Sequence, residues 1–240
     1  MSDEPSQTVE PKHQPACANS VLRIRPRGGL CNKLRVTLSY RLHCRSVGRH
    51  LVVYWLSDDA CPGHFLDWFE PLSDTTFCHT LDTEAARLDY DGCSVHSDHP
   101  DFVTEALVPL PNVRHRIQAM CDMLGEYVAV HVRRTDHVDL AKAHNRYTTD
   151  ADVDAFLSLY PTRTIYVATD NAITYEALKD KYGSRIPLAW HTPVGGESVL
   201  RQTSVEDAVV DLYMCARASA FQGSGWSSFT DTIEALRRQL

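Results

Sequence analysis

Within one short stretch, His131-Val-Arg-Arg-Thr-Asp136, the chain places a histidine, two adjacent arginines and a carboxylate. Two neighbouring guanidiniums offer fork-shaped donors that match a phosphate. The residues just before them, Tyr127 to Val132, are apolar and rich in valine, as in a strand buried in a parallel sheet. A buried strand ending in four polar groups suits the crevice at the carboxyl edge of an open α/β sheet. The bland alternative is a strand running out into solvent with its arginines hydrated.

Other parts of the chain repeat the theme. Asp170 follows the apolar run Thr164 to Thr169, and Gly223-Ser-Gly-Trp-Ser-Ser228 follows Ser219 to Gln222. If these strands are parallel, all three ends share one edge. Arginines with a serine-rich helix start suit a diphosphate, and an acidic group suits a ribose or a base N–H. Near the N-terminus, Pro26-Arg-Gly-Gly29 separates Val21 to Arg25 from a helix with Leu30, Leu34, Leu38 and Leu42 on one face. Backbone N–H groups of Gly28 and Gly29 can face an anion or a hydroxyl-rich substrate there, although a plain tight turn would also use glycine. The spacing is neither that of a P-loop nor of a dinucleotide fingerprint.

These groups need a scaffold. Strand, glycine turn, helix and the strand His50 to Leu56 form a βαβ unit. Residues 57–118 read less clearly, with a packed turn at Trp68 to Leu72, a strand near Phe77 to Thr80 and a helix from Val113 to Leu124. From Tyr127 the alternation is regular. Helices are expected from Thr149 to about Tyr160, from Ala172 to Tyr182, from Ser204 to about Arg217 and from Phe229 to the end. Strands are expected at 164–169, 188–190 and 219–222, and residues 133–147 as a polar loop. The whole reads as α/β with parallel, Rossmann-like sheets. Residues 1–19 are expected to be a disordered tail, followed by two Rossmann-like units, 20–118 and 119–240, the second binding the nucleotide.

Composition narrows the function. The 240 residues are 43% hydrophobic and 23% charged, with a net charge of -7, which disfavours non-specific nucleic-acid binding. No apolar run is long enough for a membrane span, and the acidic N-terminus lacks signal-peptide features, so a cytoplasmic chain is expected. The eight cysteines are widely scattered and read as reduced thiols. His43-Cys44 followed by Arg49 has the arginine one place too early for a thiol phosphatase loop. Cys61-Pro-Gly-His64 and Cys93-Ser-Val-His96, with His99 nearby, have spacings that zinc accepts. Twelve histidines in one chain produce such pairs by chance, and they are read as loop residues.

His131 to Asp136 after a buried strand resembles the signature of the fucosyltransferases that include the core α1,6 enzymes, the rhizobial nodulation enzymes and the protein O-fucosyltransferases. Gly28-Gly-Leu-Cys-Asn32-Lys-Leu34 is similar to the first-domain motif of their α1,2 and protein O-fucosyl relatives. Tyr166 to Asp170 and Asp211 to Ser228 resemble the second and third motifs, the last with about one residue inserted before the serines. The resemblance implies a GT-B-like fold of two Rossmann-like domains facing across a cleft. It also implies inverting, metal-independent transfer of fucose from GDP-fucose to a glycan or glycoconjugate hydroxyl, with no cofactor. By position, Arg133 would grip the β-phosphate, with Arg134 beside it, and His131 would contact the nucleotide. Asp211 would serve the guanine or ribose, with Asp207 competing for that role. Ser227 and Ser228 would lie near the diphosphate, and Asn32 would face the sugar from the first domain. The core α1,6 enzymes carry a glutamate, thought to be the base, at the position of Ala141 here. Asp136 and Asp139 are the nearest substitutes and His144 a third. Another nucleotide sugar as donor, or a silent sugar- or nucleotide-binding module, remain the alternatives. A cytoplasmic route would be natural for bacterial or viral glycan assembly.

Overall fold

The computed structural model describes residues 20–81, 87–100, 102, 104, 107–135, 138–194 and 202–240. The expected tail, residues 1–19, lies outside the described residues, as does Asp136. Two parallel sheets organise the rest. In the first, β1 (Val21–Pro26), β2 (His50–Tyr54), β3 (Thr75–Cys78) and β4 (Tyr90–Gly92) lie in the order β3-β2-β1-β4. Between β1 and β2 runs α1 (Leu30–Val47), which ends at Gly48 in the left-handed conformation. In the chain, α2 (Pro111–Leu124) then leads into the second half.

The second sheet has the order β6-β5-β7, all parallel, with β5 (Tyr127–Val132), β6 (Thr164–Thr169) and β7 (Ala220–Gln222). Its helices are α3 (Val138–Ala143), α4 (Asp150–Ser158), α5 (Ala172–Tyr182), α6 (Val205–Arg217) and α7 (Ser228–Arg237). Every residue of the central strand β5 is buried, because its pleat feeds two cores. Val128, Val130 and Val132 pack with Ile165, Val167 and residues of α4 and α5. Tyr127 and Ala129 join a larger core that includes Leu34, Trp55, Ile117, Leu212 and Ile233. That larger core reaches both sheets, so the two halves are packed together. The 118/119 division falls inside α2, and two separable units remain a proposal.

Two expectations need correction, and one strand was not anticipated. Residues 188–190 form no strand; Trp190 instead lies against the edge of β6, its indole N–H donating to the Thr169 carbonyl. The polar stretch after β5 contains α3, which a six-residue helix with one buried side chain does not announce in sequence. The three-residue β4 was too short to be read. Cys44, Cys78, Cys93, Cys121 and Cys215 are free thiols. Among the described residues, no helix is long and apolar enough to cross a membrane.

Candidate anion-binding site at the strand ends

Strand β5 leaves the sheet through a clasp made by Ser224. Its buried hydroxyl accepts from the Arg133 backbone N–H at 2.9 Å and donates to the His131 carbonyl at 3.0 Å. One side chain thus prolongs the β5–β7 ladder, whose last backbone register pair is Val130 with Gln222. The backbone of Arg133 is held where a neighbouring strand would hold it.

His131 is buried beneath this clasp. Its Nδ1 lies 2.9 Å from the Thr230 hydroxyl oxygen, and that hydroxyl donates to the Ser224 carbonyl at 2.8 Å. With its own proton committed, Thr230 can only accept, so Nδ1 carries the imidazole proton and Nε2 presents a lone pair. Burial, and then the nearby Arg133 charge, pull the His131 pKa down to about 3. The ring is therefore neutral throughout the physiological range.

The two arginines do different work. The Arg134 guanidinium donates to the Thr148 carbonyl at 2.9 Å and to Asp150 at 2.6 Å, and it lies over the Tyr147 ring. It fastens the 147–150 segment to the end of β5. Arg133 lines a pocket with Arg134, Val138, Ala141, Tyr147, Thr148, Ser224 and Gly225. Its Nε is 3.9 Å from Asp170, outside hydrogen-bond range. Asp170 accepts instead from the Arg134 backbone N–H at 3.2 Å and from the Thr135 hydroxyl. It anchors the β5 exit, so a ribose or base would compete with those bonds for its oxygens.

The opposite wall is the turn between β7 and α7. The Gly225 N–H donates to the Thr148 hydroxyl at 2.9 Å, and a Cβ on Gly225 would stand 1.9 Å from the Arg146 carbonyl oxygen. Only glycine fits that approach. Trp226 follows with φ of +56° and stacks on His144 at 4.1 Å. Ser227, which precedes the first helical residue, has a buried hydroxyl with no hydrogen-bond partner. The opening N–H groups of α7, beginning at Ser228, have no partner within the helix. An anion here would meet the positive end of α7.

In the first half, Gly28 has φ of +87° and Gly29 caps α1. Asn32 folds back toward the turn: a Cβ on Gly28 would come 3.0 Å from its Nδ2. The next residue, Lys33, is fully buried, donating to the Leu56 carbonyl at 2.6 Å and pairing with Asp58 at 2.9 Å. Arg35 pairs with Asp231 at 3.1 Å. That contact lies one turn into both α1 and α7, so the Gly28 turn and the Ser228 start share one region of the molecule.

The remaining candidates are elsewhere. Buried Asp211 accepts from the Tyr166 hydroxyl at 2.5 Å and lies 2.8 Å from His191 Nε2. Tyr166 pairs with Ala129, two residues short of His131 along the strand, so Asp211 belongs to a network below the pocket. Asp207 continues it, bonded to Arg116 at 2.5 Å and 3.2 Å from His191. Burial works against protonation of His191, but Asp211 and Asp207 prevail and its pKa is raised. Asp139 is exposed on α3, while Ala141 lines the pocket.

Ser224, Thr230, Thr148, Gly225, Lys33 and His191 were not picked out from sequence. Ser224 and Gly225 stood inside the quoted Gly-Ser-Gly-Trp-Ser-Ser run. Nothing local distinguishes Thr148 or Thr230, whose partners lie 75 and 99 residues away.

No protein-family model matches this sequence, and no curated protein does either. Solved structures do match. Fucosyltransferase NodZ from Bradyrhizobium is 16% identical with a TM-score of 0.58, over 90% of this chain and 92% of that one. NodZ α-1,6-fucosyltransferase soaked with GDP-fucose gives 15% and 0.60, over 91% and 92%. POFUT1 in complex with GDP-fucose gives 11% and 0.63, over 91% and 95%. The chain has the α/β, GT-B-like fold of these fucosyltransferases.

Proposed function

We propose that the chain is an inverting, metal-independent glycosyltransferase that moves fucose from GDP-fucose to a glycan or glycoconjugate hydroxyl. The observation that carries the reading is Arg133, held by its backbone to Ser224 and lining one pocket with Ser224 and Gly225 of the turn that leads into α7, in the fold of proteins determined with GDP-fucose. In the proposed reaction the acceptor oxygen attacks the anomeric carbon from the face opposite the diphosphate. The bond from that carbon to the β-phosphate oxygen breaks, and GDP departs with the electron pair. Arg133 and the α7 N–H groups meet the charge that develops on the leaving group. Neutral His131 offers a hydrogen-bond acceptor rather than a second cation. The described residues lining the pocket include no carboxylate, a donor set poorly suited to magnesium or manganese.

The second reading, a silent nucleotide- or sugar-binding module, draws on Ala141, a methyl group where the core α1,6 enzymes carry a carboxylate. GDP release from GDP-fucose discriminates between them. The enzyme hydrolyses the donor slowly without acceptor and faster with one, whereas the module binds GDP and releases none. Calorimetric preference for UDP over GDP would overturn the donor assignment and leave the fold untouched.

A further inference from the structure

Three half-buried histidines of the first unit, His43, His96 and His99, converge at the far end of α1. His43 lies in the last turns of that helix, about 16 Å along its axis from Asn32 at 1.5 Å per residue. Against it lies the segment after β4, held by Ser39, whose hydroxyl donates to the His99 carbonyl at 2.7 Å and accepts from the His96 N–H at 2.8 Å. The His43 and His96 rings stack with centroids 3.7 Å apart. His99 is close by, its ring centroid about 6 Å from both (6.1 and 6.2 Å). One donor atom from each of His43, His96 and Asp98 falls within 4.8 Å of the others.

We propose that His43, His96 and Asp98 bind a zinc-class divalent ion that staples the post-β4 segment to α1. The spacing supports it. Asp98 Oδ2 lies 3.7 Å from His43 Nδ1 and 3.8 Å from His96 Nδ1. These gaps are too long for hydrogen bonds. Two ligands on one tetrahedral zinc, with bonds of about 2.0–2.2 Å, stand about 3.4 Å apart, so closing the set takes a small contraction together with rotation of the His43 and His96 rings out of their stack. His43 Nδ1 is buried and has no hydrogen-bond partner, which is costly for a polar atom unless something binds there. His96 Nδ1 accepts a long, 3.2 Å bond from the Asp98 N–H, so that nitrogen is unprotonated and a metal there would displace this bond. Two imidazoles and a carboxylate are ligands zinc accepts. The fourth position falls to water or to His99.

The cysteines that sequence spacing suggested are not in this set. Cys93 is exposed and Cys61 buried elsewhere, and it is the fold that brings His43 to His96. The site lies at the end of α1 remote from Gly28 and Asn32, so the ion would be structural, and the proposal is independent of the glycosyl-transfer reading.

The test is a titration of metal-stripped full-length protein with zinc chloride, followed by calorimetry, metal analysis and thermal unfolding. One zinc per chain and a higher Tm are expected. Asp98→Asn, at an exposed position, and His43→Gln should each weaken binding by more than about 100-fold, beyond the usual cost of losing an outer-shell partner. Cobalt should give visible bands in the native protein that both variants lose. Absence of stoichiometric zinc, or zinc held with native affinity in the folded double variant, would overturn the assignment.

Discussion

Ser224→Ala is the sharpest perturbation available, because it removes one buried hydroxyl whose two hydrogen bonds both go to the β5 backbone. That hydroxyl makes two bonds, accepting from the Arg133 N–H at 2.9 Å and donating to the His131 carbonyl at 3.0 Å. Ser224 is 5% exposed, so water does not easily replace it. Two lost bonds at about 1 kcal/mol each, with a further penalty for a stranded buried partner, give roughly 2–4 kcal/mol. With a urea slope of about 3 kcal/mol/M, the unfolding midpoint should fall by about 1 M. Activity should fall more than stability suggests, because the clasp fixes the backbone that aims Arg133. A shift of about 1 Å there costs on the order of 10²-fold. The assay pairs urea unfolding with GDP release from GDP-fucose. If Ser224→Ala unfolds within 0.5 kcal/mol of the native protein, taken as the ordinary range for a surface substitution, the clasp contributes nothing and the reasoning fails.

The other predictions are independent of that one. Arg133→Lys should keep the fold and lose about 10²–10³ in turnover, since an ammonium cannot reproduce the fork; near-native turnover would remove Arg133 from the mechanism. Ser227→Ala should leave stability unchanged or slightly higher, because its hydroxyl is buried without a partner, yet weaken GDP binding in calorimetry. His131, with its folded pKa depressed to about 3, takes up a proton on unfolding below pH 6.5. Stability relative to His131→Asn should therefore fall by about 2 kcal/mol between pH 8 and pH 5, and parallel denaturation profiles would refute the assignment. His191 has a raised pKa, so its contribution is complete below about pH 6.5 and declines as pH rises through the folded value. The native-minus-His191→Asn difference should shrink from pH 6 to pH 9, and a difference that grows would show the sign to be wrong.

Much of the fold was legible because its signals are local. The all-buried run Tyr127–Val132, the four-residue leucine repeat of α1 and the Ser204 capping box each announce an element within a dozen residues. The candidate site was legible only in outline. Sequence placed Arg133 and Arg134 on one strand exit, and both are there. It could not separate them, because their difference lies in the partners of Arg134, Thr148 and Asp150, which a loop carries back. It favoured Ser227 and Ser228 over Ser224 by motif alignment, whereas the clasp depends on which serine of the turn faces β5. Asp211 looked like a nucleotide contact by its place in a motif. Its burial against Tyr166 and His191 depends on packing between α6 and the sheet, and no residue spacing reports that.

The same geometry bears on how the proposed reaction could run without the missing glutamate. Ala141, the position to which the resemblance assigns that glutamate, lines the pocket. Of the described substitutes, Asp139 is exposed on α3, and His144 is stacked on Trp226. Neither lines the pocket. Asp136 lies outside the described residues; a route in which it too gives the incoming hydroxyl little help must advance by breaking the bond to the diphosphate first, through an oxocarbenium-like transition state. In such a route most of the developing negative charge sits on the leaving group, and stabilisation there governs the rate. The demand then falls on the fixed position of Arg133 and on the α7 N-terminus, the two features that Ser224 joins. On this reading Ser224→Ala should depress kcat with little change in KM for the donor, because ground-state binding spreads over the whole nucleotide. Addition of azide or formate, small anions that can act as bases in the space beside Ala141, should not restore the rate lost by Ser224→Ala. Rescue of that variant by either anion would show that proton removal, and not departure of GDP, is the step the clasp supports.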